Sequence, residues 1–240
     1  MKKKIIITGG SGRFGSVLKK SKNKFIMFFP NRKELNILSL NSIKNYLKKI
    51  KPQILIHAAG LSRPMSIHEE RISQSIDLNI IGTANIVKAC SEFNIKLIYF
   101  STHYVYPCKQ GEYSENSPLL PINNYAWSKL GGECSVQMYK NSLIVRACMS
   151  EKPFAHKEAF INVKSNFIYH EDVSGILFRI INEKGIINIG GKKQSIYNFA
   201  RKDSMGIKKK ILKKNINFPR NPVINISKLK KKLKKNLSDA

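Results

Sequence analysis

Acidic residues are scarce in this chain: 15 Asp and Glu stand among 240 residues, against 43 Lys and Arg, for a formal net charge of +28. The surplus is uneven, at +14 over residues 1–150, +3 over residues 151–206 and +11 over residues 207–240. With 42% hydrophobic and 9% aromatic residues the chain has ample material for a packed core, which excludes a disordered polycation. Lys, Asn and Ile are abundant together even where no partner is plausible, so the charge reads as a compositional bias and nucleic acid is not the expected partner. Cysteine is limited to Cys90, Cys108, Cys134 and Cys148, with no Cys-x-x-Cys pair and no histidine at ligand spacing. That argues against a zinc site and a disulfide framework, and points to a reduced, cytoplasmic setting. Long apolar runs are missing too. Met1-Lys2-Lys3-Lys4-Ile5-Ile6-Ile7 begins like a signal peptide, but Thr8-Gly9-Gly10 cuts it short, and nothing approaches the ~18 apolar residues of a membrane span.

What is present is alternation. Apolar strands are expected at Ile5–Ile7, Phe25–Phe29, Gln53–Ala59, Leu97–Ser101 and Leu143–Val145. Helical periodicity falls between them: after the glycine turn (Phe14, Val17, Leu18), through Ile43, Leu47 and Ile50 with Ser42 as cap, along Ile72–Phe93, and along Tyr125–Tyr139. Continuous apolar strands separated by helices imply an α/β fold, a doubly wound parallel sheet covered on both faces. Past Arg146 the alternation weakens. Met149–Asn166 shows no sustained period, Asp172–Ile181 reads as a helix, and Gly185–Ile189 as a strand. The expected organisation is one dinucleotide-binding domain over 1–206, in which 147–206 is a short substrate-side appendage, followed by a Lys-rich tail over 207–240. Leu229 and Leu233 are spaced for one face of a solvated tail helix.

Three motifs carry chemistry. Thr8-Gly9-Gly10-Ser11-Gly12-Arg13-Phe14-Gly15 has a G-x-x-G-x-x-G spacing between the first strand and its helix. Glycines there permit a tight turn, close approach of a pyrophosphate to backbone N–H groups, and close helix–strand packing. Tyr125-Ala126-Trp127-Ser128-Lys129 sets a phenol and an ammonium on one helix face. A phenol with an ordinary pKa near 10 becomes a usable acid or base when a lysine stabilises its anion. Tyr99-Phe100-Ser101-Thr102-His103-Tyr104-Val105-Tyr106 puts hydroxyls at the carboxyl end of a strand, where ligands bind in open α/β sheets.

In this order the motifs resemble the extended short-chain dehydrogenase/reductase superfamily, over residues 3 to about 200. The likeness takes in His57-Ala58-Ala59-Gly60, Asn79, Tyr169-His170-Glu171-Asp172-Val173 and Asn188-Ile189-Gly190-Gly191. Within it, Ser101-Thr102-His103-Tyr104-Val105-Tyr106, Tyr113-Ser114-Glu115, Pro118, Pro121, Asn124-Tyr125 and Asn225-Ile226-Ser227-Lys228-Leu229 look most like the dTDP-4-dehydrorhamnose reductase group and its sugar-nucleotide-binding relatives. The resemblance implies an NAD(P)-dependent oxidoreductase with Thr102, Tyr125 and Lys129 as catalytic residues. It implies a cofactor site of Gly9, Ser11, Gly12, Arg13, Phe14, Gly15, Arg32, Asn36, Ile37, Ala58, Ala59, Gly60, Asn79, Tyr125 and Lys129. Thr102, His103 and Tyr104 would meet the substrate, a nucleotide-sugar.

The second strand ends at Asn31-Arg32-Lys33, where NAD-dependent relatives carry an acid for the adenosine 2′-hydroxyl. Arg32 and Arg13 suit a 2′-phosphate instead, so NADPH is the expected cofactor, with NADH the alternative. Two departures from the family pattern matter. His103-Tyr104 replaces the Asp-Glu pair of the 4,6-dehydratases, which argues against dehydration; His103 is expected at the pocket rim. Only 22 residues separate Arg146 from Tyr169, so the substrate side is abbreviated. The resulting expectation is reduction of a nucleotide-linked 4-keto-6-deoxysugar for deoxysugar or surface-polysaccharide synthesis, in a protein that can be a homo-oligomer. A nucleotide-sugar epimerase with bound NAD and a non-catalytic sugar-nucleotide-binding or regulatory subunit remain as alternatives.

Overall fold

The computed structural model describes residues 2–214, 216 and 218–238. Six strands form a parallel central sheet: β1 (Lys4–Thr8), β2 (Ile26–Phe28), β3 (Ile54–His57), β4 (Lys96–Thr102), β5 (Ser142–Ala147) and β6 (Gly185–Ile189), in the order β6-β5-β4-β3-β1-β2. Ile5 of β1 pairs with Met27 on one side and Ile54 on the other, and Ile56 pairs with Ile98. Ile5, Ile6, Ile7, Leu55, Ile56, Leu97 and Ile98 are wholly buried. Such uninterrupted apolar strands are those of a sheet covered on both faces, as the sequence implied. Strand order reverses between β1 and β3, and the crevice beyond their carboxyl ends is the switch point where such sheets bind ligands.

Longer helices are α1 (Arg13–Lys20), α2 (Leu40–Ile50), α3 (Gly82–Glu92), α4 (Asn124–Gln137), α5 (His170–Arg179) and α6 (Ser227–Ser238). The cap of α2 is Ser39, not Ser42: the Ser39 hydroxyl accepts from the Ser42 N–H at 3.2 Å, and the Ser42 hydroxyl accepts from the Asn36 N–H at 3.0 Å. The helix expected along Ile72–Phe93 is not uniform. A short helix over Ile72–Ile76 passes through a π-helical turn at Asp77–Ile81 before α3 begins. Asn79 sits in that turn, and its side-chain bonds explain why the backbone opens there.

Contacts divide the chain into two bodies. Met1–Ser101, Asn123–Val145 and Ile181–Ile186 make the first. Its core joins Ile6, Leu47, Leu55, Ile86, Leu97, Tyr99, Val136 and Ile144. Thr102–Ile122, Arg146–Ile180 and Ile187–Ala240 make the second. There Ala159, Val163, Ile196, Ala200 and Leu212 pack with Phe154, Phe160, Phe167 and Phe218. Arg146, 1% exposed, donates to the Tyr106 hydroxyl at 2.9 Å and the Glu115 carbonyl at 3.1 Å. Tyr106 in turn donates to Asn188 Oδ1 at 2.9 Å, and Glu115 Oε1 accepts from the Asn188 N–H at 2.9 Å. A buried guanidinium without such partners is untenable, so these motif residues hold the second body together. The Lys-rich segment belongs to the same body: Lys208–Lys210 pairs in parallel with Glu158–Phe160, and Leu229 of α6 is 2% exposed.

Candidate active site

The glycine turn is built by contacts that admit no side chain. Gly9 has φ +75°, and a Cβ there would lie 2.7 Å from Ala59 N and 2.8 Å from Ala58 C and O. At Gly15 a Cβ would overlap the Gly9 carbonyl oxygen. The turn closes through Gly12 N–H to Gly9 O at 2.9 Å, and α1 starts at Arg13 with Gly12 as cap and no side chain capping its first turn. No acid occupies that turn, and Ser11, Gly12 and Arg13 are exposed. Uncapped N–H groups at a helix start, next to backbone held bare by glycine, fit the pyrophosphate of a dinucleotide. Phe14 instead turns inward onto Phe100, ring centres 4.7 Å apart.

A buried hydrogen-bond chain fixes the switch point. The Ala59 N–H donates to Thr8 Oγ1 at 3.3 Å, Thr8 Oγ1 lies 2.8 Å from His57 Nδ1, and His57 Nε2 lies 3.2 Å from Thr83 Oγ1. Thr83 donates to the Asn79 carbonyl at 2.8 Å. With that hydroxyl proton spent, Thr83 accepts from His57 Nε2–H, and Nδ1 accepts from Thr8. The imidazole is thus a neutral Nε2–H tautomer, and burial, with Lys129 adding to it, brings its pKa down to about 3. His57 was read from sequence only as part of a motif. Its role as the tie between β1, β3 and the π-turn depends on pairings across the fold.

Asn79 joins this tie to the α4 face. Its Oδ1 accepts from Leu61 N–H at 2.7 Å, and its Nδ2 donates to Leu61 O at 2.9 Å and Ser128 Oγ at 2.8 Å. A Cβ on Gly60 would meet Asn79 Oδ1 at 2.8 Å and lie 4.0 Å from Lys129 Nζ. The structure therefore brings the glycine turn, Ala58-Ala59-Gly60, Asn79 and Lys129 together. Arg13 reaches the same loop, with Nη2 donating to Ser62 Oγ at 2.7 Å. Asn36 uses its Oδ1 locally on the Leu38 N–H at 3.1 Å, Ile37 is buried, and Arg32 is exposed in the turn that follows β2.

Asn123 caps α4, its Oδ1 accepting from Ala126 N–H at 2.9 Å, and the helix carries Tyr125 and Lys129 one turn apart. Tyr125 is half-buried, and Lys129 is 8% exposed. Burial brings the Lys129 pKa down to about 7, with Glu133 one turn further on opposing the fall. Beneath lies Tyr99, the first residue of the hydroxyl-bearing motif, for which the sequence implies no role of its own. Its ring centre is 4.3 Å from Lys129 Nζ, and its hydroxyl donates to the Lys129 carbonyl at 3.0 Å. Burial raises the Tyr99 pKa well above 10, so it stays a donor.

In the second body, Thr102 ends β4 and is 5% exposed; its Oγ1 accepts from Tyr104 N–H at 3.3 Å. His103 is not at a rim. It is 3% exposed, Nδ1 faces the Ala147 carbonyl at 3.1 Å, and burial brings its pKa down to about 4. It turns inward because a carbonyl is there to receive its N–H. All four cysteines are unpaired. Among the described residues no group of acids, histidines and cysteines is placed to hold a metal ion, and no helix is long and apolar enough to cross a membrane.

Residues 2–150 match the family described as RmlD substrate binding domain. The chain belongs to that family. Methionine adenosyltransferase 2 subunit beta of Xenopus tropicalis is 29% identical over 143 residues, 56% of this chain and 42% of that protein. GDP-L-fucose synthase of Dictyostelium discoideum is 29% identical over 144 residues, 53% of this chain and 44% of that protein. The matched region thus spans less than half the length of these curated relatives. Among solved structures, dTDP-4-dehydrorhamnose reductase from Bacillus anthracis str. Ames in complex with NADP has a TM-score of 0.84 at 22% identity, covering 100% of this chain and 99% of that one. A hypothetical dTDP-4-dehydrorhamnose reductase from Sulfolobus tokodaii has a TM-score of 0.80 at 21% identity, covering 96% and 94%. The fold of these structures is therefore shared along the whole chain, and both the fold class and the family resemblance read from the sequence are borne out.

Proposed function

We propose that the protein is an NADPH-dependent reductase of a nucleotide-linked 4-keto-6-deoxysugar. The observation that carries this reading is the placement of Lys129, beside Gly60 and Asn79 at the switch point and one helical turn from Tyr125. Gly9, Ser11, Gly12, Arg13 and Gly15 would hold the pyrophosphate, and Ala58, Ala59, Gly60 and Asn79 the path to the nicotinamide end. Arg32, with Arg13, favours a 2′-phosphate. The nicotinamide, when bound, supplies the hydride.

The remaining chemistry falls to the chain. Tyr125 donates its phenolic proton to the sugar oxygen, and Lys129 steadies the phenolate left behind. With a pKa near 7 in the free site, Lys129 gains its proton readily once an anion is close. Because Thr102 Oγ1 accepts from Tyr104 N–H, its own O–H is available to a substrate carbonyl oxygen. Tyr104 follows on the substrate side, while His103 between them turns inward to the Ala147 carbonyl. Supporting this reading are the family match and the reductase neighbours, one of them solved with NADP. The test is NADPH consumption with a dTDP- or UDP-4-keto-6-deoxysugar, in the cytoplasmic setting expected for deoxysugar synthesis.

A second reading has its own observation. The curated relatives named methionine adenosyltransferase 2 subunit beta carry the name of a subunit, and they match 56% of this chain. A binding subunit holds dinucleotide without turnover and is recovered with a stable partner. An epimerase, by contrast, copurifies with tightly held NAD+.

A further inference from the structure

The short helix Ile67–Glu70 carries a histidine that the proposed chemistry does not use. His68 is wholly buried. Its Nδ1 lies 2.7 Å from Ser75 Oγ, and its ring centre lies 5.1 Å from that of Tyr125, with the planes at 60°. Around the same place the backbone is clamped to the start of α4. The His68 carbonyl accepts from Asn124 Nδ2 at 3.4 Å, and the Glu69 carboxylate accepts from Asn124 N–H at 3.3 Å and from Asn124 Nδ2 at 2.5 Å. Asn124 is the residue before Tyr125, so backbone and ring are held by one segment.

We infer that His68, oriented by Ser75, is the positioning residue for Tyr125: it forms the wall against which the phenol ring rests, and so fixes where the hydroxyl points. This deepens the reductase reading and rests on it for the catalytic consequence only. A tyrosine near a helix start has its ring direction set by χ1 and χ2, and one face of a half-buried ring needs a neighbour to hold it. An imidazole supplies that neighbour without adding charge. Burial lowers the His68 pKa and the Lys129 cation lowers it further, against the opposing pull of Glu69 and the Ser62 backbone. Its Nε2 makes no hydrogen bond of ordinary geometry among the described residues. The ring is therefore neutral at neutral pH, and it packs on Tyr125 without bringing a charge to it.

Two measurements test this in the full chain. The first needs no substrate: with ring-labelled tyrosine, the Tyr125 signal (assigned by its loss in Tyr125→Phe) reports the ring-flip rate by NMR. His68→Ala is expected to speed flipping severalfold, and His68→Phe, which keeps a ring, to return it near the wild-type rate. The second is kinetic. His68→Ala is expected to lower kcat about 10- to 100-fold, the cost of misplacing a reacting group, with the NADPH dissociation constant unchanged, and His68→Phe to restore most of kcat. Equal flip rates in wild type and His68→Ala overturn the inference. So does a His68→Ala protein that loses melting temperature, NADPH affinity and kcat together without rescue by His68→Phe, since that is the behaviour of a plain core residue. Absence of turnover in the wild type refutes the reductase reading, while the flip rates still decide whether His68 holds Tyr125.

Discussion

Replacing Gly9 by alanine isolates the contact on which the cofactor turn depends. Two costs add. A residue with a Cβ at φ +75° pays about 1–2 kcal/mol for the left-handed backbone. The new methyl would also sit 2.7–2.8 Å from backbone atoms of Ala58 and Ala59. Those atoms follow β3 and are tied through Thr8 and His57, so they cannot give way as a flexible side chain would; overpacking of this kind costs about 1–3 kcal/mol. The sum is about 2–5 kcal/mol. Gly185→Ala is the control, since φ is +81° there with nothing within 4 Å of a Cβ, leaving only the backbone cost of about 1–2 kcal/mol. Gly175→Ala, in an exposed turn of α5 with nothing within 4 Å, should stabilise by about 0.5–1 kcal/mol. Urea denaturation of the three variants, with titration of NADPH into each, reads both consequences. Gly9→Ala should be the least stable and bind NADPH at least about tenfold more weakly, equivalent to 1.4 kcal/mol. If Gly9→Ala costs no more than Gly185→Ala and binds NADPH normally, the close approach of turn and β3 is wrong.

Acid stability should fall through the buried histidines. His57 and His103, with native pKa values of about 3 and about 4, bind fewer protons folded than unfolded, where the value is about 6.5. Stability is therefore intact above pH 6.5 and lost as the pH falls below it, by about 2 kcal/mol per histidine at pH 5. Urea midpoints from pH 7.5 to 4.5 check this, and a flat profile contradicts it. Arg32→Asp should cost NADPH about 10- to 100-fold in affinity, the value of a charge-assisted bond of about 1.5–3 kcal/mol, and leave NADH binding unharmed; paired titrations decide. Asn79→Ala, which removes three side-chain hydrogen bonds, should destabilise by about 2–4 kcal/mol and slow proton transfer by loosening Ser128 and the Leu61 loop.

Much of this site was legible in the sequence because its constraints are local. A glycine that must turn at positive φ and a phenol one helical turn from a lysine are fixed by spacing alone, and Gly9, Gly15, Tyr125 and Lys129 stand where that spacing put them. What was not legible depends on distant partners. The π-turn at Asp77–Ile81 follows from Asn79 reaching both Leu61 and Ser128, 18 and 49 residues away, so a uniform helical period concealed it. Ser39 and Ser42 are equally good caps by type, and the Ser42 N–H donating to the Ser39 hydroxyl is what assigns the cap. Tyr99 stands in the hydroxyl-bearing motif, but its place under Lys129 comes from a contact 30 residues away along the chain. The second body draws on three separate stretches of chain, 102–122, 146–180 and 187–240, in which a helical period shows only within Asp172–Ile181 and at Leu229 and Leu233.

The central claim is that Tyr125, prepared by Lys129 and supplied with NADPH at the glycine turn, protonates a sugar ketone. The direct measurement is single-turnover loss of NADPH absorbance with a dTDP-4-keto-6-deoxysugar, in wild type and in Tyr125→Phe. The account predicts stoichiometric oxidation by the wild type and a fall of at least about 100-fold in Tyr125→Phe, with NADPH still bound. Equal rates in the two proteins, or bound NADPH that no such sugar oxidises, would contradict it.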